Sequence, residues 1–138
     1  MLNILIVDDS TIMRQNLKRI INDLGHNVTG EAASGNDAIF LAKEFTPDLI
    51  TMDITMPEMD GIETTKILKK KYPDVKIIMT TSHGQEDMVR QSIKNGAKGY
   101  ILKPVTKNKI EDIIVKLFNN KVKHAKQEEI TREFSGLV

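Results

Sequence analysis

The sequence contains no cysteine among its 138 residues, so disulfide bonds and thiol catalysis are excluded. Its formal net charge is +1, which does not favour nucleic acid or a membrane surface as a partner. The N-terminus lacks the basic start and cleavage site of a signal peptide, and no apolar run is long enough to span a bilayer. We therefore expect a cytoplasmic protein that neither inserts into a membrane nor binds nucleic acid directly.

Two nucleotide-binding signatures are also missing. Neither Gly-x-Gly-x-x-Gly nor a phosphate loop ending in Gly-Lys-Ser/Thr occurs, which argues against a nucleotide-binding module. The composition is that of an ordinary globular protein, with 40% hydrophobic and 28% charged residues. The length suits one domain with a single core.

Five short segments predict five strands separated by segments with helical spacing of apolar residues. Ser34 and Asp60 are predicted helix N-caps, and Gly25 and Gly96 are predicted to follow helix C-termini. Alternation of strands and helices predicts an α/β protein, with a doubly wound parallel sheet that carries helices on both faces. The second strand is the most polar and is predicted to lie at an edge. The predicted strands are 4–7, 28–31, 49–52, 77–79 and 100–102.

Acidic residues cluster at the predicted carboxyl edge of this sheet, where ligands of open α/β sheets bind. Asp8 and Asp9 follow the first strand, and Asp53 follows the third. Three converging carboxylates repel one another unless a cation neutralises them, and Mg²⁺ prefers carboxylate, water and phosphate oxygens. The alternative is that Asp8 and Asp9 only cap the first helix beside Ser10.

Two further polar residues end neighbouring strands. Lys103 follows the fifth strand and precedes Pro104, so its ammonium can reach toward Asp53 and stabilise phosphoryl oxygens. Thr81 follows the fourth strand, and its hydroxyl can donate to a phosphoryl oxygen. Thr80 is predicted to point to the opposite side of the sheet from Thr81. An exposed lysine and an ordinary strand-end hydroxyl are the alternatives for these two positions.

Taken together, these residues resemble the receiver domain of two-component response regulators over about residues 1–120. The resemblance rests on Asp8-Asp9-Ser10, Asp53, the segment 56–61 (MPEMDG), Thr81 and Lys103-Pro104, in the order of the family. It implies a single flavodoxin-like (βα)5 domain, with a five-stranded parallel sheet in the order 2-1-3-4-5.

The resemblance also implies the chemistry. Asp53 would accept a phosphoryl group from a sensor histidine kinase. Mg²⁺ would be held by Asp8, Asp9, Asp53 and the backbone carbonyl of Thr55. Lys103 would bind the transferred phosphoryl oxygens. The protein would then be a signalling receiver that catalyses its own phosphorylation and dephosphorylation, rather than an enzyme acting on a separate substrate.

The resemblance further implies a switch. Thr81 would bind the phosphoryl group and move toward it, and Tyr100 would turn inward; the alternative for Tyr100 is an aromatic that only packs at a sheet edge. Thr55 and His83 occupy positions that flank the site and vary within the family, so they are expected to tune water access.

The start of the chain and residues 79–91 are most similar to CheY-like chemotaxis regulators. We expect a stand-alone receiver at residues 1–121, followed by a charged extension or tail at 122–138. Ordered and disordered forms of this tail are both left open. The output face of the receiver would be the fourth helix, fifth strand and fifth helix, where residues 85–121 carry eight basic and four acidic side chains. Such a face suits an acidic downstream partner, for example the flagellar motor switch, although a solvated lysine surface is the alternative.

Three competing interpretations remain at this level. A phosphatase with an aspartyl-phosphate intermediate also uses a nucleophilic Asp, but the haloacid dehalogenase type places it on the first strand, in Asp-x-Asp. An interaction module without chemistry would not need the acceptor, metal and switch residues. A receiver fragment of a longer response regulator would have an output domain that is not seen here.

Overall fold

The computed structural model describes residues 1–118, which form five strands and five helices in strict alternation. The sheet is entirely parallel, with the order β2-β1-β3-β4-β5. The predicted doubly wound, flavodoxin-like (βα)5 fold is therefore confirmed. The strands are β1 (Asn3–Val7), β2 (Asn27–Ala32), β3 (Leu49–Asp53), β4 (Lys76–Thr81) and β5 (Gly99–Leu102). The helices are α1 (Thr11–Asp23), α2 (Gly35–Phe45), α3 (Gly61–Lys71), α4 (Glu86–Lys94) and α5 (Lys107–Phe118).

Successive side chains of the central strands point to opposite faces of the sheet and pack into two apolar layers, one on each face. Ile4 and Ile6 of β1 belong to the layer that packs against α1 and α5. Leu5 and Val7 belong to the layer that packs against α2, α3 and α4. Because both faces are covered, the central strands are continuous apolar runs, as parallel sheets require.

The helix ends follow the predicted capping chemistry. The side chains of Ser34 and Asp60 accept hydrogen bonds from the backbone N–H groups of Asp37 and Glu63, at 3.1 and 2.9 Å. Gly25 and Gly96 adopt φ values of +83° and +109° just after α1 and α4. Glycine adopts positive φ values at a lower energetic cost than any residue with a Cβ atom.

All five strands are longer than the apolar pattern indicates, and two of them extend to a polar residue of the predicted site. Asp53 and Thr81 are the last residues of β3 and β4, whereas the sequence places each of them after its strand. Asp53 pairs in register with Thr80, and Thr81 pairs with Leu102. The ladder continues because its hydrogen bonds join backbone groups, whatever the polarity of the side chains. The polar strand β2 lies at a sheet edge, as predicted.

Residues beyond 118 are not described. The predicted domain boundary at 121 and the extension at 122–138 therefore lie outside the described residues. Within residues 1–118, no helix has the length and apolar character needed to cross a membrane.

Candidate functional site

Three carboxylates meet at the carboxyl edge of the sheet. Asp8 and Asp9 follow β1, and Asp53 ends the neighbouring strand β3. Each of these residues offers a carboxylate oxygen, and these oxygens all lie within 4.8 Å of one another. Asp8 and Asp53 are buried, whereas Asp9 is exposed. The structure therefore brings together the three acids that the sequence places at the carboxyl ends of two strands.

Asp8 takes part in a helix cap with only one of its oxygens. Its Oδ1 accepts the backbone N–H of Ser10 at 2.8 Å, and Ser10 itself caps α1 by accepting the N–H of Met13 at 3.3 Å. Asp8 Oδ2 is buried and has no hydrogen-bond partner. Its nearest cation is the Lys103 ammonium, whose nitrogen lies 3.6 Å away, beyond hydrogen-bond distance. Capping alone does not account for this second oxygen.

Lys103 reaches across the strand ends to both buried acids. Its Nζ donates a hydrogen bond to Asp53 Oδ1 at 3.2 Å, in addition to its contact with Asp8. The Lys103–Pro104 peptide bond that follows β5 is cis. A single ammonium between two buried carboxylates, with the exposed Asp9 beside them, leaves net negative charge in the site.

Asp53 has a perturbed acidity. Burial and, after it, repulsion by the neighbouring Asp8 carboxylate raise its pKa from 3.8 to about 6, although Lys103 opposes both effects. Asp9 adds a smaller repulsion in the same direction as Asp8. At neutral pH the Asp53 side chain is therefore mainly an ionised carboxylate in an environment that disfavours its charge.

The donor set fits a hard divalent cation. It consists of carboxylate oxygens alone, one of them buried without a hydrogen bond, and the cluster holds more negative charge than Lys103 balances. Mg²⁺ binds such sites through one or two carboxylates and completes its shell with water or phosphate oxygens. A cation here would relieve the repulsion that raises the pKa of Asp53.

The loop between β3 and α3 is held close to Asp53 by Gly61. A Cβ atom at this position would lie 2.1 Å from the carbonyl oxygen of Asp53, so no larger residue fits without a shift. The Gly61 N–H also donates to the Ile54 carbonyl at 2.8 Å. The role of Gly61 is thus a close approach of two backbone segments.

Thr81 is buried at the end of β4, and its hydroxyl donates to the side chain of Gln85 at 2.7 Å. The same Gln85 oxygen accepts the Ser82 N–H at 2.8 Å, and the Gln85 amide nitrogen donates to Thr55 Oγ1 at 2.7 Å. Gln85 carries no signal in the sequence, because its contact with Thr55 spans 30 positions along the chain.

Tyr100 lies on the edge strand β5 with 53% of its surface exposed. A cavity separates it from Thr81 and is lined by residues of α4 and the loop before it, among them His83, Val89 and Ile93. Tyr100 therefore has space beside it on the side of Thr81.

Comparison with known proteins identifies the family. Residues 4–115 match the response regulator receiver domain. The chain belongs to this family. The chemotaxis protein CheY of Thermotoga maritima is 46% identical over 114 residues, which are 83% of this chain and 95% of that protein. CheY of Bacillus subtilis is 45% identical over 116 residues, 84% of this chain and 97% of that protein.

Solved receiver structures agree with this assignment. A chain of the CheX–CheY–BeF3–Mg²⁺ complex from Borrelia burgdorferi superposes with a TM-score of 0.80 at 34% identity, covering 84% of this chain and 88% of that chain. A response regulator receiver domain protein from Clostridium thermocellum gives a TM-score of 0.81 at 29% identity, covering 88% and 97%. The predicted membership of the receiver family, with CheY-like character, is confirmed. The individual roles of the site residues stay predictions.

Proposed function

We propose that this receiver domain accepts a phosphoryl group on Asp53 from a sensor histidine kinase. The observation that carries the proposal is the position of the Asp53 carboxylate. It is buried beside Asp8 and hydrogen-bonded to Lys103, in an environment that raises its pKa to about 6. Such a carboxylate is mainly ionised at neutral pH. Any change that disperses or neutralises its charge would lower the free energy of the site.

The transfer is a displacement at phosphorus. An ionised oxygen of Asp53 attacks the phosphohistidine of the kinase, a new O–P bond forms, and the N–P bond breaks with its electron pair returning to the imidazole. Phosphoryl transfer needs alignment and charge neutralisation more than covalent machinery. The Lys103 ammonium, 3.2 Å from Asp53 Oδ1, is placed to exchange this carboxylate for a phosphoryl oxygen.

Mg²⁺ would be held by Asp8, Asp9, Asp53 and the backbone carbonyl of Thr55. Once bound, it supplies positive charge that neutralises the carboxylates and the phosphoryl oxygens. The buried Asp8 Oδ2, which has no hydrogen-bond partner, supports this assignment, as does the presence of Mg²⁺ and BeF3 in the complex that contains the similar Borrelia CheY.

Thr81 and Tyr100 form the proposed switch. Thr81 donates to a phosphoryl oxygen after transfer, and Tyr100 turns into the cavity between them. The output then runs through α4, β5 and α5, where Tyr100 and Ile93 are large exposed apolar residues on a basic surface. A cytoplasmic partner with an acidic, partly apolar segment fits such a face.

The similarity to CheY proteins of several organisms supports a role in chemotaxis, with the flagellar motor switch as the candidate partner. We further propose that the receiver domain ends near residue 121 and that residues 122–138 form a charged extension. The alternative, a receiver fragment of a longer regulator, differs in output and shares the same phosphoryl chemistry.

The test is phosphorylation by acetyl phosphate with Mg²⁺, followed by intact mass. We expect the wild type to gain one phosphoryl group only when Mg²⁺ is present, and Asp53→Asn to gain none. Asp74→Asn, which changes an exposed aspartate in the loop before β4, serves as the matched control and should behave like the wild type. Modification that persists in Asp53→Asn, or that is absent from the wild type, would refute the proposal.

A further inference from the structure

We infer that Gln85 is a positioning residue that keeps the Thr81 hydroxyl engaged until a phosphoryl group competes for it. Gln85 would thereby oppose the phosphorylated state and set how readily that state forms. The inference rests on the proposed function, because it concerns the regulation of the same acceptor site.

The orientation of the Gln85 amide follows from its neighbours. The backbone N–H of Ser82 can only donate, so the Gln85 atom 2.8 Å from it must be the carbonyl oxygen Oε1. The amide nitrogen then faces the hydroxyl oxygen of Thr55 at 2.7 Å, as a donor. One partly buried side chain thus joins the loop after β4 to the loop after β3, across the carboxyl edge of the sheet.

The Thr81 hydroxyl has a single proton, which limits it to one donated hydrogen bond. The Gln85 oxygen at 2.7 Å is the nearer acceptor, and the Ser82 carbonyl at 3.3 Å is the more distant one. Donation to a phosphoryl oxygen on Asp53 therefore requires the bond from Thr81 to Gln85 to break. The two acceptors are mutually exclusive, so any free energy held in the bond to Gln85 is subtracted from phosphoryl binding.

Gln85 also stands immediately before α4. It occupies the N-cap position of this helix without making a side-chain cap, because its amide is used by Thr81, Ser82 and Thr55. Release of Thr81 leaves this amide with one partner fewer at the start of a helix on the proposed output face. The exchange of acceptors is therefore a local event with a direct structural connection to α4.

The test measures binding of beryllium fluoride with saturating Mg²⁺ by isothermal titration calorimetry. Gln85→Met keeps the length of the side chain and removes all hydrogen bonds that the Gln85 side chain makes. We expect it to bind beryllium fluoride about five- to tenfold more tightly than the wild type, the scale of one exchanged hydrogen bond. The affinity for Mg²⁺ alone should stay within about twofold, because neither Thr81 nor the Gln85 side chain supplies a metal ligand, and Gln85 contacts the hydroxyl of Thr55 rather than its carbonyl.

Two controls separate this role from a general effect of the substitution. Gln91→Met makes the same chemical change at an exposed position of α4 and should bind like the wild type. In a Thr81→Val background the competing hydroxyl is absent, so adding Gln85→Met should change the affinity by less than about twofold.

The possible failures are distinguishable. If the wild type binds beryllium fluoride but Gln85→Met binds it equally or less tightly, the role of Gln85 is overturned and the acceptor chemistry stands. The role is also overturned if the gain survives in the Thr81→Val background or appears in Gln91→Met. If the wild type binds no beryllium fluoride at all, the proposed function fails and the inference fails with it.

Discussion

The Lys103 ammonium donates a hydrogen bond to Asp53 Oδ1 at 3.2 Å, and yet the pKa of Asp53 is raised to about 6. An adjacent cation ordinarily lowers the pKa of a carboxyl group. Here burial and the Asp8 carboxylate together outweigh it, because one ammonium is shared between two buried acids. The site is therefore short of positive charge, which a divalent cation would supply.

The raised pKa of Asp53 makes a prediction about stability. Without metal, the folded state holds a proton on Asp53 that the unfolded state releases, over the window from the ordinary value of 3.8 to about 6. The free energy of unfolding contributed by this group therefore falls as pH rises through that window. Asp53→Asn removes the penalty and should be stabilised relative to the wild type at pH 7.5, by about 1 kcal/mol after allowance for solvent screening.

Urea unfolding in EDTA at pH 4.5 and pH 7.5 measures this difference. The gain in free energy of unfolding of Asp53→Asn over the wild type should be clearly larger at pH 7.5. Asp74→Asn should differ from the wild type by the same amount at both pH values. An advantage of equal size at both pH values would contradict the raised pKa.

Lys103→Met tests the opposing influence. The Lys103 ammonium lowers the pKa of Asp53 against burial and the neighbouring acids. Without it, this pKa should rise above about 6. Carboxyl carbon NMR of Asp53 across a pH titration reports the change directly. Lys107→Met, at an exposed lysine in the first turn of α5, is the control and should leave the titration unchanged. A pKa that stays constant or falls in Lys103→Met would show that the ammonium is not the balancing charge.

Two buried threonines should respond in opposite ways to the same substitution. Thr51 in β3 has a buried hydroxyl without a hydrogen-bond partner, whereas the Thr64 hydroxyl in α3 donates to the Asp60 carbonyl at 2.8 Å. Valine has nearly the shape of threonine without the polar atom. We expect Thr51→Val to stabilise the protein by about 1 kcal/mol and Thr64→Val to destabilise it by a similar amount.

Chemical unfolding at a single pH compares these two variants with the wild type. A loss of stability in Thr51→Val would mean that its hydroxyl has a partner, such as a buried water, in solution.

Gly61 and Gly84 separate steric exclusion from backbone strain. An added Cβ at Gly61 meets the Asp53 carbonyl oxygen at 2.1 Å, whereas at Gly84 it meets nothing but the backbone has a φ of +88°. We expect Gly61→Ala to cost about 2–4 kcal/mol, because the end of β3 and the start of α3 must separate. Gly84→Ala should cost only about 1 kcal/mol, the penalty of a left-handed conformation.

Phosphorylation should distinguish the same two variants. Because Gly61 abuts the backbone of the acceptor residue, Gly61→Ala should also slow the acetyl phosphate reaction, whereas Gly84→Ala should leave it nearly unchanged. Equal stability losses in the two variants would argue against the close approach to Asp53.

Much of the fold could be predicted from local patterns. Apolar runs such as 4–7 and 49–52 have the composition of strands buried on both faces, and the caps at Ser34 and Asp60 depend on residues only three positions apart. Alternation with helices then leaves few parallel topologies, since crossovers are right-handed. The acidic residues at the strand ends could be placed at one edge for the same reason.

Other properties arise only when distant segments pack together. The pKa of Asp53 depends on burial and on Asp8, which follows the neighbouring strand β1, and the amide of Gln85 donates to Thr55 across the sheet edge. The unpaired hydroxyl of Thr51 likewise becomes visible only once its surroundings are complete. Strand and cap preferences are local and can be recognised in the chain, whereas desolvation, charge repulsion and side-chain pairing depend on distances that the tertiary fold creates.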